Sequence, residues 1–126
     1  RYSWISGQDI SAELPLVALP PFNAFHSIGY VIPLKKNTMD FQTGIEGLYV
    51  GKSNVHPSQD FLPPPVAYFL VNIYAGMNIK LHQRTLSIQL RSDNLFNSRY
   101  RDYLNRLRYY SDAEGRSFSL MAKLPF

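Results

Sequence analysis

Apolar and polar residues alternate with a period of two along most of this chain, the spacing that sends successive side chains to opposite faces of a strand. Leu86, Ile88 and Leu90 interleave with Thr85, Ser87, Gln89 and Arg91. Phe118, Leu120, Ala122, Leu124 and Phe126 interleave with Ser117, Ser119, Met121, Lys123 and Pro125. From Val66 to Leu81 one face runs Ala67, Phe69, Val71, Ile73 and onward to Leu81, while Asn72, Tyr74 and Asn78 take the other. At about 3.3 Å per residue that strand spans about 50 Å, long for a globular protein. Met39 to Gly51 and Ala24 to Ile32 alternate less cleanly, and Arg1 to Gly7 reads as the end of a further strand.

The connections alternate too. Lys35-Lys36-Asn37 and His82-Gln83-Arg84 are tight turns. The segments Gln8 to Asn23, Lys52 to Pro65 and Ser92 to Gly115 are long. If the strands run up and down in sequence, every long connection lies at one end and both tight turns at the other. That is the layout of an antiparallel membrane barrel. A soluble β-sandwich is the rival, since its strands alternate as well. The long loops and the length of Val66 to Leu81 weigh toward the barrel. Six strands leave two open edges, which are costly in hydrocarbon. The expectation is therefore an all-β, antiparallel transmembrane barrel of which residues 1–126 form a part, completed by strands from the same polypeptide or a partner chain.

Composition narrows the chemistry. The chain has 126 residues and no cysteine, so disulfides, thiolate zinc sites and cysteine nucleophiles are excluded. No stretch approaches the ~18 apolar residues of a membrane helix. A mean hydropathy of −0.20 does not distinguish a soluble β-protein from a barrel whose strands average out. The net charge of +4, from 13 Lys and Arg against 9 Asp and Glu, suits an anionic partner without selecting one. His26, His56 and His82 fall in separate segments, and neither a Gly-x-Ser-x-Gly elbow nor a His-Glu-x-x-His helix occurs. The expectation is a non-enzyme without cofactor or metal.

The carboxy-terminal third carries motifs. Asp93-Asn94-Leu95-Phe96-Asn97 follows a strand directly, then Tyr100-Arg101-Asp102-Tyr103-Leu104-Asn105-Arg106-Leu107-Arg108-Tyr109, then Gly115-Arg116 before the last strand and its terminal Phe126. From Pro63-Pro64-Pro65 to Phe126 the chain resembles the carboxy-terminal part of a TonB-dependent outer-membrane receptor of the Bacteroidetes, iron-related type. The first sixty residues fit only in general pattern. The resemblance implies residues 1–126 as about the last six strands of a roughly 22-stranded plugged barrel, with the plug domain outside them. It implies an outer-membrane location in a Gram-negative bacterium and TonB-driven uptake of a scarce nutrient, foremost a ferric siderophore or other iron chelate. Import of peptide or glycan, or a scaffold role in an outer-membrane assembly, is the alternative. The implied partners are outer-membrane lipid and lipopolysaccharide, the remaining strands and plug, the TonB complex through that plug, and the barrel-assembly machinery. For the last, Phe118, Leu120, Leu124 and Phe126 would be the assembly signal.

Individual residues take roles within that frame. Tyr30, Tyr49, Phe69 and Phe126 are candidates for aromatic girdles at the membrane interfaces. Asn72, Asn78, Gln89 and Lys123 would face the lumen. Asn94 and Asn97 read as local turn formers. Tyr100, Tyr103, Leu104, Leu107 and Tyr110 fall at helical spacing, which suggests a helical turn over the rim. Arg99, Arg101, Tyr103, Arg106 and Arg108 are candidate ligand contacts, because guanidinium forks suit carboxylates and phosphates. Against this stands internal pairing of the arginines with Asp102, Asp112 and Glu114. A nucleic-acid module using the same Arg and Tyr residues is a distant rival; it lacks a recognised motif, and no nucleic acid is expected.

Overall fold

Backbone pairing follows the alternation closely. The computed structural model describes residues 1–10, 14–16, 19–35, 38–53 and 63–125. Phe126, His56 and the centres of the connections at 36–37 and 54–62 lie outside the described residues. The long strands are β4 (Asn23–Lys35), β5 (Met39–Val50), β6 (Tyr68–Leu81), β7 (Arg84–Asp93) and β8 (Ser117–Lys123), joined by a short β1 (Tyr2–Ser3). These six form one antiparallel sheet in the order β1-β4-β5-β6-β7-β8. Apart from β1, each strand pairs with its sequence neighbour. The sheet is open: β4 is covered by β1 only at its first residues, and β8 forms the other edge. Pro33, with no N–H to offer, sits beside the bulge that ends the β4–β5 register.

Several details differ from the sequence reading, among them that β1 covers only Tyr2–Ser3 and β8 ends at Lys123. A small separate hairpin, β2 (Gln8–Asp9) with β3 (Leu14–Pro15), forms inside the proline-rich connection expected to be loop. Its two strands pair with each other and not with the main sheet. β6 begins at Tyr68 rather than Val66: the proline run before it supplies no N–H donors to a ladder. The tight turn at His82–Gln83 is present, with His82 at a φ of 55°. At the opposite end Gly51 N–H donates to Phe22 C=O at 2.8 Å, so two long connections meet there.

Cross-strand register assembles the two faces. One row joins Ile28, Ile45, Ile73, Ser92 and Phe118; the next joins Tyr30, Thr43, Ala75, Leu90 and Leu120. On this apolar face Ile28 is 65% exposed, Leu90 53% and Leu120 74%. The reverse face carries Gln42, Glu46, Asn72, Asn78, Gln89, Arg91 and Lys123. A single layer has no second sheet to bury against, and among the described residues no side chain is fully buried. The buried apolar side chains, Val50, Leu70, Val71 and Tyr103, gather toward the long-loop end. Among the described residues no helix is long and apolar enough to cross a membrane, which bears only on helical spans.

On the polar face the Tyr74 ring lies flat across its neighbours. A Cβ on Gly44 would stand 2.5 Å from Tyr74 Cζ and Oη, and one on Gly29 would stand 2.6 Å from that Oη. The glycines are needed for close approach. Gly44→Ala is expected to cost about 1–3 kcal/mol by overpacking and to become nearly neutral in a Tyr74→Ser background. A double-mutant cycle by denaturant unfolding in detergent checks this, and additive effects would refute the contact.

Candidate functional site

The candidate site is the long connection 94–116, folded over the polar side of the sheet. It starts where β7 stops. Asn94 and Asn97 adopt left-handed φ values of 49° and 53°, which asparagine tolerates better than most residues. Asn94 N–H donates to Asn72 Oδ1 at 3.0 Å. Its own side chain accepts from Ser98 N–H at 2.8 Å and donates to the Ser98 and Glu114 carbonyls at 2.9 and 3.4 Å. Asn97 Oδ1 accepts from Arg116 N–H at 2.9 Å, and a Cβ on residue 115 would stand 2.7 Å from that same oxygen. This explains glycine before Arg116. The two asparagines are turn formers, as read from sequence, and they also tie the two ends of the loop together.

Further along, Ala113 N–H donates to Tyr100 C=O at 2.8 Å and narrows the loop to a neck. Tyr100 stacks against Tyr68, ring centroids 4.6 Å apart. Burial first, and the nearby Asp102 carboxylate second, raise the Tyr100 phenol above its ordinary pKa, which keeps it neutral at the neck.

The expected helical face does not form. Only Arg106–Tyr109 is helical, as a single 3-10 turn. Tyr103 is buried, whereas Leu104, Leu107 and Tyr110 are exposed. A local side-chain bond competes with a longer helix: Asp102 Oδ1 accepts from Leu104 N–H at 2.8 Å, and Asn105 Oδ1 caps the 3-10 turn by accepting from Leu107 N–H at 2.9 Å.

Arg108 organises the interior of the loop. It is only 8% exposed. It donates to Tyr103 C=O and to Tyr109 Oη, both at 2.8 Å. Its guanidinium carbon lies 4.2 Å from the Tyr103 ring centroid and 4.8 Å from that of Tyr109. Arg101 donates to Arg108 C=O at 3.1 Å and pairs with Asp112 at 2.7 Å. One of the expected internal pairings is therefore present, while Asp102 binds backbone. Of the five candidate contacts, Tyr103 and Arg108 hold the loop from within and Arg101 is engaged with Asp112. Arg99 and Arg106 are exposed without a partner among the described residues. A cleft of about 290 Å³ runs between Pro63–Val66 on one side and Arg101, Arg108 and Tyr109 on the other. Arg108→Ala is expected to loosen the loop by about 2–3 kcal/mol, through a stranded carbonyl and lost ring contacts. Arg106→Ala should change stability by less than about 0.5 kcal/mol. Protease sensitivity within 94–116 separates the two.

Sequence reasoning missed a second polar cluster. Glu46 Oε2 accepts from Arg91 Nη2 at 2.6 Å and from Asn72 Nδ2 at 3.4 Å, and Arg91 Nε donates to Asp93 at 2.8 Å. Membership of the polar phase of three strands was visible, but their register was not. Asn72, Asn78, Gln89 and Lys123 do share this polar face. On the other face Tyr49 and Phe69 are direct cross-strand partners near the loop end, and Tyr30 lies further along β4. Phe118, Leu120 and Leu124 are exposed on or beyond β8. No known protein family, curated protein or solved structure matches this chain.

Proposed function

We propose that residues 1–126 form part of the wall of an outer-membrane β-barrel that acts as a TonB-dependent receptor, taking up a scarce nutrient, with an iron chelate as the cargo. One observation carries the wall assignment: an open antiparallel sheet presents bulky apolar side chains outward on one face and a charged, hydrogen-bonded network on the other. An apolar face this extensive requires cover, and hydrocarbon supplies it along the whole face. The long connections at one end support the same reading, as do the motifs from Asn94 to Arg116. The receptor assignment and the cargo rest on the resemblance of those motifs. In this reading no bond is made or broken: the strands hold the wall, and loop 94–116, with its exposed Arg99 and Arg106, stands beside the path of an anionic cargo.

Two measurements test it. The native particle containing this chain should need detergent and should shift on gels only after boiling; a particle soluble without detergent returns the sandwich. Deleting the polypeptide should abolish growth on a ferric chelate as sole iron source and spare growth on ferrous salt. Undiminished growth on the chelate would overturn the iron cargo.

A further inference from the structure

Small residues interrupt the apolar face at neighbouring positions. Thr43 and Ala75 are cross-strand partners, and Ser92 lies on the adjacent row opposite Ile73. They leave a depression of about 500 Å³ walled by Ile28, Tyr30, Ile45, Ile73, Leu90 and Phe118. That volume lies within the range of about 300–1,000 Å³ usual for small-molecule sites. The Thr43 hydroxyl already donates to Tyr74 C=O at 3.0 Å. The Ser92 hydroxyl, on a residue only 4% exposed, has no partner among the described residues. A buried hydroxyl left unpaired is unfavourable. Next to Phe118, one of the walls, the Arg116 guanidinium carbon lies 5.7 Å from the ring centroid. Arg116 is exposed and makes no ion pair among the described residues. The nearest acidic neighbour along β7, Asp93, is paired with Arg91 on the opposite face.

We propose that this depression is a binding site for an acyl lipid with an anionic phosphate headgroup, drawn from the surrounding membrane leaflet. An acyl chain fills the space between the isoleucines, Leu90 and Phe118. An ester carbonyl of the lipid accepts from Ser92, which lies close to the loop end of β7. The phosphate meets Arg116, whose planar fork suits phosphate oxygens. Charge complementarity beside Phe118 selects this occupant over a second protein sheet, which would bury an unpaired arginine. The inference rests on the wall assignment and adds a place and a ligand class to it.

The test uses the native particle reconstituted in phosphatidylcholine vesicles carrying a trace of nitroxide-labelled phosphatidylglycerol or phosphatidylcholine. The expected result is more motionally restricted phosphatidylglycerol than phosphatidylcholine. Arg116→Gln should reduce that preference several-fold and flatten its salt dependence. Ala75→Phe should fill the depression and displace both labelled lipids. Wild-type preference retained in Arg116→Gln would overturn the site, as would unchanged restriction in a folded Ala75→Phe. A spin label at Leu86, on the same face outside the depression, separates the two levels of the argument. Lipid contact there with no effect of either variant defeats the site and leaves the wall standing. Absence of lipid contact at Leu86 defeats both.

Discussion

Ile88→Arg is expected to destabilise the particle by about 2–4 kcal/mol, while Gln89→Arg, one residue along, is expected to leave it nearly unchanged. Ile88 and Gln89 sit at the middle of β7 on opposite faces. Ile88 is exposed on the apolar face; with hydrocarbon as the proposed cover of that face, a guanidinium there would have neither water nor a counter-charge. Gln89 belongs to the face that already carries Glu46, Asn72 and Arg91. The readout is the midpoint of denaturant unfolding in lipid vesicles, together with the fraction of material that shifts on boiling. A second series strengthens the argument. Arginine placed in turn at Phe69, Ile73, Met77 and Leu81 walks down one face of β6. Its cost should peak in the middle and fall to about 0–1 kcal/mol at the interfaces. The peak should move with lipid chain length. Costs independent of bilayer thickness, or equal penalties at Ile88 and Gln89, would exclude hydrocarbon as the cover of this face.

Asn94→Ala should release loop 94–116 without dissolving the sheet. The substitution removes the acceptor for Ser98 N–H and the donor to the Ser98 and Glu114 carbonyls. It also leaves alanine at a φ of 49°, where a Cβ is disfavoured. Lost hydrogen bonds at a residue only 4% exposed, together with the backbone penalty, place the local cost at about 2–4 kcal/mol. Asn94→Gly relieves the backbone but not the bonds and should cost roughly 1 kcal/mol less. Asn94→Asp keeps the acceptor for Ser98 but sets a carboxylate oxygen against the Ser98 and Glu114 carbonyls at a residue only 4% exposed, so it should cost at least as much as Asn94→Ala. Amide exchange at Ser98, Ala113 and Arg116 reports the opening, with residues of β6 as the internal standard. Protection at Ala113 that survives Asn94→Ala would mean that the neck at Tyr100 holds the loop alone.

The physics that separates readable from unreadable features shows in particular residues. The phase of β7 was plain because each strand residue declares its face by whether it is apolar or polar, and Leu86 to Arg91 does so without exception. The strand ends at Tyr68 and Asp93 were placed within two residues by prolines and asparagines. The stretch from Tyr100 to Tyr110 misled for a local reason. Its apolar spacing matched a helix, but Asp102 bonds to the backbone N–H two residues on, and Asn105 caps a turn that starts only at Arg106.

The antiparallel order of strands, the two-faced sheet and the end at which the long loops gather are legible in the chain, because they follow from alternation along each strand and from the lengths of the connections. Tertiary structure alone decided which side chains meet. Glu46 finds Arg91 across 45 residues of chain, Tyr74 comes to rest over Gly44, and Arg108 turns inward between Tyr103 and Tyr109. Each of these contacts is set by strand register or by the path of a loop. A shift of one residue would send every side chain of a strand to the other face, and only pairing across the whole sheet selects among registers.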